Sequence, residues 1–510
     1  MYSLFDQGIC DPCPASFNMT AYVLAQAGVY TDKEALLIVT KNGVETYTYQ
    51  ALERSVLGIA TGFQSMGLRP GQRVLLRLGN TVDFPLAFLA ALAVDLVPIP
   101  TSSLLTSIEC DKIVAEIKPS IIIAADGIAC PTDRAIPRID VSALRAMRRN
   151  PVAKYVYGDP NRLGYIIYTS GTSGVPRAVC HAHRAIWARR MMWRGWYGLS
   201  TEDRLLHAGA FNWTYTLGTG LMDPWTVGAT AIIPGLDHTP AELPQLMSDH
   251  KVSLFAAAPG VYRQILKHKN LQKVPTLRHG LSAGEKLPDR TRASWKETMG
   301  TEIYEAFGMS ECSTFLSGSP EKNPPPGTSG FPQAGRRVAI VNSNGDPVPY
   351  NQTGILAISR ADPGLMLGYY NAEKATEDKF VGEWFLTGDM ASMDQNGAVQ
   401  YKGRNDDMMN AGGFRVSPLE VEHVINTFPG IQESAAVEVE VKSDTTVIAA
   451  FFTSDTSISE TSLHSFVIER LAGYKSPRMY KHVPELPKGA NGKILRQKIR
   501  ELYEASHGKT

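Results

Sequence analysis

The 510-residue sequence predicts an α/β protein: a large amino-terminal domain of helix-covered β-sheets with a small β-barrel-like part, followed by a small α+β domain. Two observations predict this fold class. In the first part of the chain, short apolar runs alternate with helical segments, which is typical of a largely parallel sheet covered by helices. After the Pro- and Gly-rich segment 323–335, apolar and polar residues alternate as they do in antiparallel strands.

The amino-terminal elements follow in chain order. We predict a strand over 73–78, a helix over 81–95 and a buried strand over 120–124. Further strands of the same kind are expected at 163–169, 252–256 and 302–305, and each leads into a loop. Because ligands of open α/β sheets bind at the carboxyl ends of strands, these loops are candidate positions for a functional site.

The carboxyl-terminal elements have a different pattern. Antiparallel strands are predicted at 338–341 and 355–358. Ser417, Pro418 and Glu420 form a helix-start pattern, with a capping residue, a proline in the first turn and a glutamate three residues after the cap. Strands at 435–441 and 447–453 and a helix near 459–472 complete this unit. The expected division is a core over 1–403, a hinge over 404–407 and a smaller domain over 408–510.

Composition excludes several classes of protein. The chain has 51 basic and 50 acidic residues, a formal net charge of +1, so no bulk charge favours nucleic acid or an anionic membrane surface. The longest apolar run, 84–94, is much shorter than the ~20 residues of a membrane span. The amino terminus lacks a secretory signal, and the six cysteines contain one C-x-x-C pair where zinc requires two. A cytoplasmic enzyme with reduced thiols is expected.

The strongest functional motif is segment 168–177, YTSGTSGVPR. It follows an apolar strand and combines two glycines with five hydroxyl residues. Glycines let backbone N–H groups turn toward an anion, and the hydroxyls add donors, so the loop is suited to wrap a polyphosphate. Its spacing does not match the Walker A pattern.

Four more segments accompany this loop: 307–311 (FGMSE), 384–389 (WFLTGD), 403–407 (GRNDD) and 487–493 (PKGANGK). In this order the five resemble the motifs of the adenylate-forming superfamily of acyl-CoA synthetases, aryl-CoA ligases, luciferases and peptide-synthetase adenylation domains. The resemblance covers nearly the whole chain. It implies a mobile carboxyl-terminal domain and an AMP-forming acid–CoA ligase that uses ATP, CoA and Mg²⁺. A carboxylate and ATP would give an acyl-adenylate and pyrophosphate, and the CoA thiol would then give acyl-CoA and AMP.

The resemblance also implies an ATP/AMP site assembled from separate segments. Its expected members are Thr169, Ser170, Gly171, Thr172, Ser173, Gly174, Arg177, Gly284, Glu285, Lys286, Glu305, Ala306, Phe307, Gly308, Met309, Ser310, Asp389, Arg404, Arg415 and Lys493. Asp389 is suited to accept hydrogen bonds from the ribose hydroxyls, and Phe307 to form an aromatic wall of the adenine slot. The family usually has Lys-Gly where this chain has Arg177-Ala178. Arginine keeps the charge, so activity is expected to survive.

Adenylation requires positive charge rather than a general base. A carboxylic acid with a pKa near 4 is already ionised at neutral pH, and cations must offset its repulsion from the α-phosphate. By resemblance, the catalytic residues are Lys493, Thr172 and Glu311. Lys493 would bridge the carboxylate and the α-phosphate, while Glu311, assisted by Thr172, would hold Mg²⁺.

The second half-reaction needs a path for the CoA thiol. Gly412, Gly413 and Phe414 resemble the family's segment beside the pantetheine tunnel, and Lys475 and Arg478 resemble the CoA entrance. Asp406 occupies the position of the hinge residue about which the carboxyl-terminal domain turns between the half-reactions.

The acyl pocket is expected to be lined by segment 211–218, including Phe211, Trp213, Tyr215 and Gly218, and by His183, Ala257, Gly260 and Gly308. In acetate-type enzymes a large aromatic residue closes the pocket at the position of Gly308, so glycine is expected to admit a bulkier acid. Segment 221–225 resembles medium-chain and benzoate-type ligases, and Phe17-Asn18 resembles the benzoate group. The predicted substrate is an aromatic, alicyclic or medium-chain monocarboxylic acid.

Two alternatives stay open. One is an acyl-AMP ligase that loads a carrier protein instead of CoA. The other is a catalytically silent nucleotide-binding protein, against which the joint presence of Lys493, Glu311 and Asp389 argues. An amino-acid-activating domain is disfavoured because no acidic residue lies near Asn212 to hold an α-amine. The expected partners are a small acid, ATP and CoA, without nucleic acid or a membrane span, and a homodimer is compatible with the sequence.

Overall fold

The structure is a computed structural model that describes residues 1–8, 10–169, 177–235, 237–268, 271–284, 287, 289–404, 409–411, 414–416, 418–442, 445–487 and 494–507. Two sheets with parallel strands form the centre of the amino-terminal part. The nine-stranded sheet has, in spatial order, strands Phe331–Pro332, Ser313–Ser317, Ile303–Met309, His279–Ala283, Leu254–Ala257, Arg204–His207, Thr230–Pro234, Glu34–Thr40 and Gly43–Thr48. Its central neighbours pair in parallel, and antiparallel strands close both edges.

The second sheet is wholly parallel, and its strands in spatial order are Val97–Pro100, Arg73–Arg77, Ile121–Ala124 and Arg138–Asp140. The helix Asp83–Ala93 packs between layers and is buried along its whole length. An apolar helix without a polar face is the pattern of a buried helix. Its only carboxylate, Asp83, is neutralised by Arg145 and Arg148.

Helices cover these sheets and connect their strands. The α-helices are Met19–Val23, Tyr49–Ser65, Asp83–Ala93, Ser107–Ile117, Val141–Met147, Ala185–Ala188, Arg190–Met192, Asp223–Val227, Leu243–Asp249, Pro259–Leu266, Asp289–Met299, Glu373–Glu377, Pro418–Asn426, Glu460–Ile468 and Arg496–His507. Two short 3₁₀ turns lie at Ala25–Gly28 and Pro240–Glu242. Two π-helical turns lie at Trp193–Tyr197 and Thr216–Met222. Such turns are rare and are found mostly at functional sites.

Antiparallel strands form two further sheets. The larger contains Leu4–Asp6, Arg337–Val341, Gly354–Ser359, Trp384–Met393, Phe380–Val381 and Val399–Arg404. The smaller contains Gly368–Tyr369, Arg177–Ala182 and Leu163–Thr169. The expectation that 163–169 belongs with the parallel strands is therefore wrong. Residues 177–182 follow closely enough in sequence to return as its antiparallel partner.

The carboxyl-terminal unit is α+β, as predicted. A three-stranded sheet of Ile431–Lys442, Thr445–Ser454 and Met479–His482 packs with its helices, and a hairpin of Met409–Ala411 and Phe414–Val416 precedes it. The unit has its own apolar core, which includes Val421, Ile425 and Phe452. In the described part of the chain, no helix is long and apolar enough to cross a membrane.

Candidate active site

Arg177 and Glu311 are brought together through one tyrosine. Thr169 and Arg177 lie opposite each other in the small antiparallel sheet, at the two ends of segment 170–176, which lies outside the described residues. The Arg177 guanidinium lies 4.8 Å from the centre of the Tyr369 ring. The Tyr369 hydroxyl donates a hydrogen bond of 2.7 Å to Glu311 Oε1. Arg177, at the end of the predicted phosphate loop, and the predicted metal carboxylate Glu311 thus contact the same tyrosine.

The surroundings of Glu311 fit the binding of Mg²⁺. Its Oε2 atom has no hydrogen-bond partner among the described residues, so one carboxylate oxygen is open to a cation. Mg²⁺ is held by one or two carboxylates together with phosphate oxygens and water. Burial and the adjacent Glu311 carboxylate raise the pKa of Tyr369, which therefore stays protonated and orients Glu311 as a donor. Thr172, the second expected metal residue, lies outside the described part.

The predicted adenine segment lies at the carboxyl ends of two parallel strands. Ala283 and Ala306 are direct partners, and Gly284 follows with a φ of +96°, a conformation that favours glycine. Phe307 contacts Phe315 and Tyr401, with ring centres 5.6 and 5.5 Å apart. Glu285 and Lys286 lie outside the described residues.

Two acidic residues of the nucleotide prediction have clear structural surroundings. Glu305 accepts hydrogen bonds from the Leu287 N–H and from Arg292 Nη2, so it braces the loop after Gly284. Asp389 is fully buried and lies opposite Arg404 in the six-stranded sheet. This register brings the two residues expected at the ribose to adjacent positions.

The local backbone explains why position 308 is a glycine. A Cβ atom at this position would lie 2.2 Å from the Ser313 carbonyl oxygen and 2.6 Å from Thr314 Cα. The strands Ile303–Met309 and Ser313–Ser317 approach closely at a bulge between Phe307 and Gly308. The glycine therefore permits the two backbones to contact each other. This role differs from the one expected from the sequence, in which the glycine leaves the acyl pocket open.

Several residues expected in the acyl pocket are engaged in packing instead. His183 Nδ1 accepts a hydrogen bond from the Met19 N–H, and its Nε2 lies 3.5 Å from Asp95 Oδ1, so the ring anchors the amino-terminal helix. Phe211 is buried against Phe84. Ala257 is a core residue. Gly260 is not tightly packed, since a Cβ there would meet only Arg263 Nη2 at 3.9 Å.

A small cavity lies between the predicted acyl and nucleotide segments. Its lining residues are Tyr165, His181, Ala185, Arg189, Thr214, Leu217, Met222, Ser310, Ser313 and Gly364. Thr214 and Leu217 belong to the predicted acyl segment 211–218, and Ser310 precedes Glu311. The same segment contributes Tyr215, which is buried behind the cavity and donates to the Leu281 carbonyl oxygen. Part of the predicted acyl segment therefore lines the cavity, and most of the remaining wall comes from residues that the sequence did not predict.

Arg189, which lines the cavity, belongs to a buried ion pair that sequence analysis missed. Arg189 donates from Nε and Nη2 to the Asp223 carboxylate, and Nη1 donates to Ser313 Oγ at 2.5 Å. Tyr197 and Thr219, from the two π-helical turns, complete the network. Gly218 makes room for it, since a Cβ there would lie 2.3 Å from the Arg189 guanidinium carbon. The adjacent Arg189 and Arg190 within the otherwise apolar run 185–193 were the available signal.

His181 was missed because it lies two residues from the more obvious His183. Its Nε2 is 2.7 Å from the Ser310 carbonyl oxygen, and its ring stacks on Tyr165 at 4.9 Å. Burial lowers the pKa of His181 to about 4. Burial also raises the pKa of Tyr165 to about 12, so at neutral pH both side chains are uncharged.

Phe17-Asn18, which resembles the benzoate group, serves the fold directly. The Asn18 side chain caps the helix Met19–Val23 and donates to the carbonyl oxygens of Leu92, Ala93 and Val156. This ties the amino terminus to the end of the buried helix Asp83–Ala93.

The carboxyl-terminal unit is docked on the core beside the predicted acyl segment. Phe414 stacks between Trp213 of the core and Tyr474, at ring-centre distances of 5.3 and 4.1 Å. Lys475 is not open to solvent: its ammonium donates to Glu109 Oε1 of the core at 3.1 Å and to Glu420 Oε1 at 2.8 Å. Arg478 is exposed.

The remaining predicted residues cannot be located by contacts. Gly412, Gly413, Asp406 and Lys493 lie outside the described residues, and Arg415 is described only as part of the strand Phe414–Val416.

Comparison with known proteins agrees with the motifs. Residues 23–370 match the AMP-binding enzyme family, and residues 420–493 match the AMP-binding enzyme C-terminal domain. The chain is 29% identical over 479 residues to a benzoate–CoA ligase of Thauera aromatica, covering 89% of this chain and 90% of that one.

Solved structures with the same fold include two CoA ligases. A benzoate CoA ligase from Burkholderia xenovorans LB400 superposes with a TM-score of 0.69 and is 28% identical, covering 95% of this chain and all of the other. A double mutant of o-succinylbenzoate CoA synthetase from Bacillus subtilis has a TM-score of 0.84 at 21% identity, covering 95% and 99%.

The expected superfamily, fold class and enzyme class are confirmed. ATP and CoA are the co-substrates of such ligases, and Mg²⁺ is typical of them. On the match of 23–370 and the agreement of the motifs in order, this chain belongs to the AMP-binding enzyme family and is an ATP-dependent carboxylic acid–CoA ligase.

Proposed function

We propose that this ligase acts on an aromatic, alicyclic or medium-chain monocarboxylic acid, which it binds in the cavity between segments 211–218 and 307–311. The observation that carries the proposal is the position of this cavity. Thr214 and Leu217 line one side, and Ser310 lines another, directly beside Glu311. An acid bound there has its carboxylate within reach of a nucleotide held by the 307–311 segment.

In this proposal each expected site residue has a separate role in adenylation. Glu311, oriented by Tyr369, holds Mg²⁺, which would offset phosphate charge when bound. Arg177 contributes a fixed positive charge at the end of the phosphate loop, and Lys493 neutralises the approach of the carboxylate to the α-phosphate. Thr172 assists at the metal, and Asp389 with Arg404 holds the ribose.

The thioester step uses the docked carboxyl-terminal unit. Gly412, Gly413 and Phe414 border the path of the pantetheine arm, with Arg478 exposed at the entrance. Asp406 is the hinge between a core over 1–403 and a domain over 408–510. Phe414 stacks on Trp213, the chain neighbour of Thr214 in the cavity wall, and this contact between the two units supports CoA as the acceptor. A cytoplasmic location agrees with these co-substrates.

The test is acid-dependent pyrophosphate release with benzoates, cyclic acids and C2–C12 fatty acids, each with and without CoA. We expect turnover of a bulky acid that rises with CoA and yields the thioester. In Lys493→Gln, we expect pyrophosphate release to fall at least ~100-fold, because removal of a charged transition-state contact typically costs that much.

Release that ignores CoA would point to a carrier-protein acceptor. Turnover confined to acetate would contradict the proposed substrate class, and a wild-type protein that releases no pyrophosphate would be a silent nucleotide binder.

A further inference from the structure

The cavity wall contains a tyrosine hydroxyl without a partner among the described residues. Tyr165 is 8% exposed, and its hydroxyl has no hydrogen-bond partner among the described residues. The ring is fixed edge-on by Phe88 and stacks on His181. A tyrosine hydroxyl can both donate and accept a hydrogen bond, so the wall offers a binding position to a polar ligand atom.

His181 presents an unpaired acceptor in the same wall. The Ser310 carbonyl oxygen can only accept a hydrogen bond, so His181 Nε2 carries the proton that it donates at 2.7 Å. The ring is neutral at pH 7, and Nδ1 is therefore an acceptor. This atom is buried and has no partner in the described part of the chain. A ligand group that donates a hydrogen bond would pair with His181 Nδ1.

The adjacent ion pair determines which charge the ligand can carry. Arg189 is 6% exposed and Asp223 is 1% exposed, and together they are electrically neutral. The position of Ser313 beside Arg189 requires a strained φ of +58°, which a non-glycine residue adopts only when its surroundings enforce it. A second carboxylate on the ligand would be desolvated here without a free countercharge, because Asp223 already occupies Arg189.

We propose that the acid carries an uncharged hydrogen-bonding substituent, a hydroxyl or amino group, which donates to His181 Nδ1 and contacts the Tyr165 hydroxyl in the cavity that Arg189 and Ser313 also line. This inference rests on the proposed function, since it concerns the same cavity. It makes Tyr165 and His181 specificity-determining residues, and it separates this enzyme from ligases whose acyl pockets are wholly apolar.

The test compares kcat/KM for the best parent acid, its hydroxy and amino derivatives at each position, and its dicarboxylate counterpart. We expect at least one hydroxy or amino derivative to exceed the parent at least ~10-fold, as one well-made hydrogen bond provides. The dicarboxylate is expected to be the poorest substrate.

Tyr165→Phe and its matched control, Tyr155→Phe, identify the residue responsible. Both remove one tyrosine hydroxyl, but that of Tyr155 donates to Glu53 outside the cavity. Tyr165→Phe is expected to lower the ratio of kcat/KM for the derivative and the parent ~10-fold, while Tyr155→Phe leaves that ratio unchanged.

A wild-type preference for the parent acid or the dicarboxylate, or an unchanged ratio in Tyr165→Phe, would overturn the inference while leaving the ligase assignment intact. Absence of pyrophosphate release with every acid would overturn the proposed function and this inference together.

Discussion

At the residue scale, His207 shows what burial does to an ionisable group. It ends the strand Arg204–His207 and is 1% exposed, and neither ring nitrogen has a partner among the described residues. Burial lowers its pKa to about 3, from an ordinary value of 6.5. The native protein therefore holds this ring neutral at pH values where the unfolded chain takes up a proton.

Stability should consequently fall with acidification. The contribution of neutral His207 is fully present above pH 6.5 and is lost as the pH falls from 6.5 toward 3, because only the unfolded chain binds the proton in that window. Between pH 7.5 and 5.5 this amounts to about 1.4 kcal/mol of unfolding free energy. We expect His207→Leu to reduce the difference in stability between these two pH values by that amount, measured by urea unfolding.

The control is His268→Leu, because His268 is exposed. A pH dependence in His207→Leu equal to that of the wild type would contradict the assignment. His181 and His279, whose pKa values burial lowers to about 4, add to the same trend in the wild type.

At the element scale, the pair of strands Ile303–Met309 and Ser313–Ser317 carries the site. Gly308 lets their backbones meet, the turn between them holds Ser310 and Glu311, and the second strand begins at the strained Ser313. A change in this contact should therefore move the metal residue and the cavity wall together.

We expect Gly308→Ala to separate the two strands and to lower the free energy of unfolding by ~1–3 kcal/mol, the usual effect of overpacking. Turnover should fall with every acid, acetate included, because the damage is to the common site. Thermal unfolding and kcat/KM on a panel of acids measure these effects.

Gly28→Ala is the matched control, since a Cβ at Gly28 meets nothing within 4 Å. A Gly308→Ala enzyme of normal stability that has gained preference for acetate would instead support the original view of Gly308 as the residue that leaves the pocket open.

At the scale of the whole molecule, one lysine joins the two units. Lys475 is 6% exposed and lies between Glu109 of the core and Glu420 of its own unit. Glu109 also completes the capping box of the helix Ser107–Ile117 with Thr106. Ala472 and Tyr474 extend the core's apolar cluster beside it.

Glu109→Gln should weaken this docked arrangement while preserving the helix cap, because glutamine also serves in a capping box. Loss of a charged hydrogen bond of ~1.5–3 kcal/mol corresponds to roughly a 10- to 100-fold shift toward undocked molecules. We expect a larger radius of gyration in small-angle X-ray scattering.

The comparison is Lys112→Gln, an exposed position on the same helix. Scattering of Glu109→Gln that superposes on that of the wild type would show that the aromatic stack of Phe414 is sufficient for docking.

Much of the fold was predictable because its elements have strong local patterns. The strand predicted at 163–169 forms with the same bounds, and the helix expected over 81–95 forms at Asp83–Ala93. The capping signals at 417–420 correctly indicated the helix Pro418–Asn426. What failed was the pairing of 163–169, because periodicity identifies a strand but not its partner.

The candidate site shows the same difference between local sequence patterns and long-range contacts. Sequence alone determined the enzyme family and the order of its motifs, because these motifs occur in short contiguous segments. Only the tertiary structure decided that Tyr165, His181, Arg189 and Ser313 meet in one cavity wall, that Asp223 pairs with Arg189, and that Gly308 serves a backbone contact. These residues lie up to about 150 positions apart, and a buried polar network is defined by contacts across strands and helices, which no local spacing records.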